Sequence, residues 1–147
     1  MALRKALVQV GGEIQQLQAG DTIGGLAENE LQTWTNGDAG NHVIGDIVYL
    51  NSADNVKKAK ADAVGTMPAI AVATATITNG TTGVYQIAGV LAGLSGLTAG
   101  SVYYLSQTTA GAMTTTAPST VGQYVVRLGI AISTTEFLIR IERPILL

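Results

Sequence analysis

The stretch Glu136-Phe-Leu-Ile-Arg-Ile-Glu142 alternates with a period of two. Phe137, Ile139 and Ile141 fall on one side of an extended chain, with Glu136, Leu138, Arg140 and Glu142 opposite; Leu138 is the one apolar residue of the outer side. Successive side chains of a strand point to opposite faces, so this pattern predicts a half-buried strand. Working outward, short runs rich in Tyr, Val, Ile and Thr recur at residues 5–10, 47–51, 69–77, 84–90, 102–106 and 123–132. Turn chemistry lies between them, at Asn79-Gly80, Ala110-Gly111 and Pro118-Ser119. The expectation is an all-β protein: a compact β-barrel, a β-tulip-like domain or a sandwich.

Helix signals are sparse. Gly24-Gly-Leu-Ala-Glu-Asn-Glu-Leu31 has room for one or two turns, and residues 21–45, mixing Gly, Asn and Asp with Trp34, read as a long loop with a binding role. An internal echo organises the remainder. Gly45-Asp-Ile-Val-Tyr-Leu50 resembles Gly100-Ser-Val-Tyr-Tyr-Leu105, and each is followed by a small-residue stretch, an apolar run and an alternating run. The expected organisation is an extended N-terminal arm over residues 1–20 and one β domain over 21–147. That domain would hold two related halves, about 45–90 and 100–142, unless the echo is a chance likeness of Gly-bounded strands.

Charged residues make up 12% of the 147-residue chain, against roughly 25% in an ordinary soluble domain. None occurs from Ala63 through Val126. A surface so short of charge suits contact with other protein. The net charge of −2 speaks against a general nucleic-acid binder, which needs a basic field to displace counterions. A membrane span over residues 84–105 is opposed by Gln86, Ser95, Thr98 and Ser101, by four glycines and by the lack of a basic flank. The opening, Met1-Ala-Leu-Arg-Lys-Ala-Leu-Val-Gln-Val10, is too short in its apolar part for a signal-peptide core. With no cysteine, disulfide and thiolate chemistry are excluded.

Groups for catalysis are few: His42 is the single histidine and the acids are scattered, so no catalytic residue, cofactor site or metal site is assigned. Asn36, Asp38, Asn41, His42 and Asp46 could offer oxygen ligands to Ca²⁺, but their spacing is not that of an EF-hand loop. The same residues are also what turns select to cap their own backbone. The basic cluster Lys57, Lys58 and Lys60 fits contact with an acidic partner, or a solvated edge strand guarded by lysine. Trp34 suits an interface anchor or a core plug, and the apolar end Pro144-Ile-Leu-Leu147 suggests docking on a neighbouring chain.

Three segments carry a resemblance: Gly45-Asp-Ile-Val-Tyr-Leu50, Gly96-Leu-Thr-Ala-Gly-Ser-Val-Tyr-Tyr-Leu-Ser106 and Val121-Gly-Gln-Tyr-Val-Val-Arg-Leu-Gly-Ile-Ala-Ile132. They resemble small structural proteins of tailed bacteriophages, and the opening residues 5–23 are similar to the start of head-decoration and tail-fibre chains. The resemblance to a head-decoration (cement) protein implies a homotrimer on the outer surface of the capsid, made in the host cytoplasm. Its partner would be the major capsid protein, whose adjacent subunits it would clamp by binding between them. Strand addition by the arm would place Leu3, Leu7, Val8, Val10, Ile14 and Leu17 in the interface. Trp34, Lys57, Lys58, Ile145, Leu146 and Leu147 are the other interface candidates. A tail- or head-fibre adaptor bound to tail or portal-vertex proteins is the alternative. A carbohydrate-binding module stacking sugars on Trp34, Tyr103 and Tyr104 is a third reading, weakened because adjacent strand residues face opposite ways.

Overall fold

The computed structural model describes residues 29–147 and, before them, the backbone of two strands, β1 (Leu7–Val10) and β2 (Glu13–Gln16). These two pair antiparallel, Leu7 opposite Gln16. The remainder of the expected arm, Leu3 and Leu17 included, lies outside the described residues, as do the side chains of Leu7, Val8, Val10 and Ile14. The protein is all-β: a single 3₁₀ turn at Val64–Thr66 is the only helical piece among the described residues.

Five strands close a barrel: β3 (Glu30–Asn36), β4 (Ile47–Ser52), β5 (Asn55–Lys58), β6 (Ala69–Ala73) and β7 (Thr82–Ala92). Their order is β3-β5-β4-β6-β7, and β3 pairs back onto β7. Every pairing is antiparallel except β3–β5. Closure through Thr35 and Asn36 pairs the end of β3 on both sides, while residues 30–34 pair with β7 alone. The far end of β7 then enters a second, open sheet. It pairs with β12 (Glu136–Ile139), followed by β11 (Arg127–Ala131), β8 (Val102–Leu105) and β9 (Met113–Thr114). A separate ribbon joins β10 (Tyr124–Val125) to β13 (Ile145–Leu146).

Two cores follow from side-chain alternation. Val48, Val56, Ala71, Ala73, Ile77 and Tyr85 cluster inside the barrel. Ile47 and Val72, on the opposite faces of β4 and β6, join Leu91, Leu105, Val126, Leu128, Phe137 and Ile139 in the larger cluster under the open sheet. Strand β6 is therefore covered on both faces, which is why Ala69-Ile-Ala-Val-Ala73 reads as an unbroken apolar run.

The sequence echo has a counterpart in the pairing. The order β5-β4-β6-β7 is matched by β9-β8-β11-β12. Val48 and Tyr49 face Ala71 and Ala69, skipping Ile70; Tyr103 and Tyr104 face Gly129 and Arg127, skipping Leu128. The irregularity thus falls at the same place in both copies. Gly45 (φ +92°) and Gly100 (φ +79°) precede the two strands in a backbone conformation that suits glycine.

Several expectations are corrected. The long loop over 21–45 contains β3, and Leu31 of the expected helical turn lies in that strand. Glycines and amides at both ends of 21–45 hid the alternating Leu31, Thr33 and Thr35. The run 123–132 is two strands, because the chain at Val126 leaves the ribbon for the open sheet. The run 69–77 ends as a strand at Ala73, and Ile77 makes an isolated bridge to His42. The strand at 136–142 ends at Ile139, although its alternation holds: Phe137 and Ile139 are buried while Arg140 and Glu142 are exposed. Strand β5 is not a sheet edge, since β3 and β4 flank it.

Candidate interaction surfaces

One end of the barrel is closed by a chain of polar side chains. The Tyr85 hydroxyl lies 2.9 Å from His42 Nδ1, and His42 Nε2 lies 2.9 Å from Asp38 Oδ2. A carboxylate only accepts, so Nε2 donates to Asp38, and in the neutral imidazole Nδ1 accepts from the phenol. Asp38 Oδ2 also accepts from the backbone N–H of Lys58, at 2.8 Å, tying β5 to the loop before β4. Burial, together with the negative charges of Asp38 and Asp46, pushes the Tyr85 phenol up to about 12. His42 is fully buried and both its nitrogens are engaged, so the relay acts as a pin between elements.

The other oxygen and amide groups of this region are spent locally. Asn36 Oδ1 accepts from Asp38 N–H, and Asn36 Nδ2 donates to the carbonyls of Gly40 and Ile77. Asn41 Oδ1 accepts from Asn79 N–H, and Asp46 Oδ2 accepts from Val43 N–H. The bonds of Asn36 to Asp38 and Gly40, and of Asp46 to Val43, are caps within the turn, whereas those of Asn36 to Ile77 and Asn41 to Asn79 tie it to the segment after β6. Among the described residues, no group of three or more His, Cys, Asp or Glu is placed to hold a metal.

The Tyr85 ring faces the other way, toward Trp34, with centroids 5.9 Å apart. Trp34, Ile70 and Ile87 pack on the barrel core and line a groove of about 650 Å³. Across it stand Ile139 and Ile141, with Arg140, Glu142 and Arg143 at the rim. Glu142 is paired to Arg127 at 3.1 Å, while Arg140 and Arg143 have no ion-pair partner among the described residues. The groove is an apolar slot with two spare positive charges. Of its residues, only Trp34 was a sequence candidate. The others come from β6, β7, the end of β12 and the segment that follows it, and nothing in the linear order brings them together.

The second apolar surface is the β10–β13 ribbon. Val121 is 88% exposed, Ile145 63% and Leu146 61%, with Leu147 beside them. The ribbon is anchored: Tyr124 N–H donates to the Ala61 carbonyl, and across its end Gly122 N–H donates to the Leu147 carbonyl while Leu147 N–H donates to the Gln123 carbonyl. Four large aliphatic residues are thus held in place facing solvent.

The lysines divide. Lys58 Nζ is 2.9 Å from Asp46 Oδ2, and both side chains are largely covered. Lys60 pairs with Asp62 at 2.7 Å, and that bond holds the Asp62 carboxyl below its usual range against the opposing effect of burial. Lys57 has no ion-pair partner among the described residues, so of the two candidate lysines it is the one with an unspent charge. The sugar-stacking residues are not brought together: Tyr103 is buried against Phe137, its hydroxyl accepting from Thr98 N–H, whereas Trp34 lies at the groove. No protein-family model, curated protein or solved structure matches the chain.

Proposed function

We propose that this chain is a non-enzymatic virion structural protein that decorates and stabilises a tailed-phage capsid by binding between major capsid subunits. The observation that carries the reading is the anchored ribbon with Val121, Ile145, Leu146 and Leu147 facing outward. Exposed aliphatics held on a fixed scaffold are what a protein interface buries, and a monomer gains nothing from them. Association of copies through this ribbon into a trimer uses a head-to-tail contact that closes on itself, as cyclic oligomers do. The absence of charge from Ala63 to Val126 supports the same reading, since that stretch supplies β8, β9 and the far end of β7 in the open sheet and β10 of the ribbon.

A binding role rather than catalysis is supported by how the ionisable groups are used. Asp38, Asp46, Asp62 and Glu142 are each engaged by a His, Lys or Arg, and His42 has no free nitrogen. The mechanism is then linkage: a ligand that binds only the assembled, expanded shell stabilises that shell, and more so the further its free concentration exceeds its dissociation constant. Co-sedimentation of the purified protein with empty, expanded heads tests it, with light scattering on the unbound fraction. Saturable binding that raises the heads' thermal tolerance supports the cement role. Capture by tails without binding to heads would transfer the protein to the fibre-adaptor class.

A further inference from the structure

We infer that the Trp34 groove is a docking slot for an extended, apolar, acidic peptide segment of the partner subunit. The inference rests on the reading of the protein as a shell-binding module, and names where and by what chemistry the shell is gripped. Three features of the groove argue for this occupant.

The first is shape and lining. Trp34, Ile70 and Ile87 line one side and Ile139 and Ile141 the other, and a slot of about 650 Å³ takes a few apolar side chains of a peptide. The second is charge. Glu142 is neutralised by Arg127, so the rim presents Arg140 and Arg143 without a counter-charge among the described residues, in a chain whose net charge is −2. A ligand that lays apolar side chains on the floor and carboxylates along the rim satisfies both. A basic or purely aliphatic segment satisfies at most one. The third is rigidity. Trp34 is held from behind by the Tyr85 ring, and Tyr85 by His42 and Asp38, so the floor is ordered before anything binds.

Trp34 is the only tryptophan, so intrinsic fluorescence reads the groove directly. The probe is a capped peptide of alternating Val and Glu, titrated into the full-length protein and compared with the same peptide carrying Lys for Glu. The expected result is a saturable Trp34 signal with the acidic peptide and a much weaker one with the basic peptide. The double variant Arg140→Glu/Arg143→Glu, checked by its unfolding midpoint, should reverse that preference, with the acidic peptide losing roughly tenfold in affinity.

Equal binding of both peptides, or an unchanged preference in the double variant, overturns the slot. So does a groove that accepts the acidic peptide only after residues 1–28 are deleted, because the occupant is then this chain itself. Head binding that survives the double variant also overturns it, while leaving the cement reading intact. Peptide binding with no affinity for heads retains the slot and removes the cement reading.

Discussion

Tyr85 and Phe137 hold the same place in two matching strand arrangements. Tyr85 faces Ala73 across the β6–β7 pair, and Phe137 faces Ala131 across the β11–β12 pair. All four residues are fully buried, a large ring set opposite a methyl group in each case. Each half also has one tyrosine hydroxyl reaching the loop that precedes its echo strand. Tyr85 reaches His42 ahead of β4, and Tyr103 reaches Thr98 ahead of β8. The rings fill the cores and the hydroxyls fix the loops.

The hydroxyl of Tyr85 gives the protein a pH-dependent component of stability at high pH. Its folded pKa, about 12, lies above the ordinary value of 10, so the fold favours the protonated phenol. That contribution is complete below pH 10 and is lost as pH rises through 10 to 12. Urea midpoints of the wild type and Tyr85→Phe measured at pH 8, 10 and 11 should converge as pH rises. Parallel curves would show that the phenol is not held protonated by the fold.

Removing the centre of the relay is costlier than removing its end. His42→Ala leaves the Tyr85 hydroxyl and one lone-pair position of Asp38 without their buried partner and opens space in a fully buried site. A loss of about 3 kcal/mol is expected, against about 1 kcal/mol for Tyr85→Phe. Chemical denaturation at pH 7 measures both. Equal, small losses would mean that the barrel end is closed by backbone bonds alone.

Gly129 is the least replaceable glycine among the described residues. A Cβ placed there would lie 2.0 Å from the Leu138 carbonyl oxygen, on a backbone with φ +152°. The contact is with a paired strand, so neither side can give way without opening the β11–β12 ladder. Gly129→Ala should cost about 3 kcal/mol or more, enough to leave much of the chain unfolded. Gly122→Ala, with φ +86° but open space around it, should cost only about 1 kcal/mol. Similar thermal midpoints for the two variants would contradict the steric argument.

Strand identity was legible wherever alternation was clean. Phe137, Ile139 and Ile141 announced β12, and the paired Tyr-Tyr and Val-Tyr motifs announced β8 and β4. Strand β3 escaped because its inward residues, Trp34 and Asn36, are one aromatic and one amide. Asn36 is buried only because its side chain caps Gly40 and Ile77. The closing of the barrel was not legible either, since it depends on β3 meeting β5 in parallel over just two residue pairs. Lys58 looked like Lys57 in the sequence, and only the approach of Asp46 separates them. The tail Ile145-Leu-Leu147 was legible as apolar, but its exposure, which depends on what packs beside it, was not.

The difference between the two lysines has a measurable consequence. Lys58→Met removes the partner of a largely covered Asp46, which then keeps only the Val43 N–H bond, and a loss of about 2 kcal/mol is expected. Lys57→Met should fall within about 0.5 kcal/mol of the wild type. If Lys57 touches an acidic partner, its replacement weakens partner binding and steepens no denaturation curve. Binding that drops only with Lys58→Met, in step with stability, would remove Lys57 from the interface.

The ribbon offers the most direct separation of folding from assembly. Ile145 and Leu146 are more than half exposed, so placing a carboxylate there displaces little from the protein's own core. Ile145→Asp/Leu146→Asp should therefore keep the wild-type unfolding midpoint within about 0.5 kcal/mol. In an interface the same two charges would be buried without partners, at a cost of several kcal/mol per site of contact. Sedimentation velocity of the variant and wild type at matched concentrations reads the difference: the variant should remain a monomer where the wild type associates. An unaltered oligomer would mean that copies meet elsewhere, and a collapsed midpoint would mean that the ribbon belongs to the fold rather than to its partners.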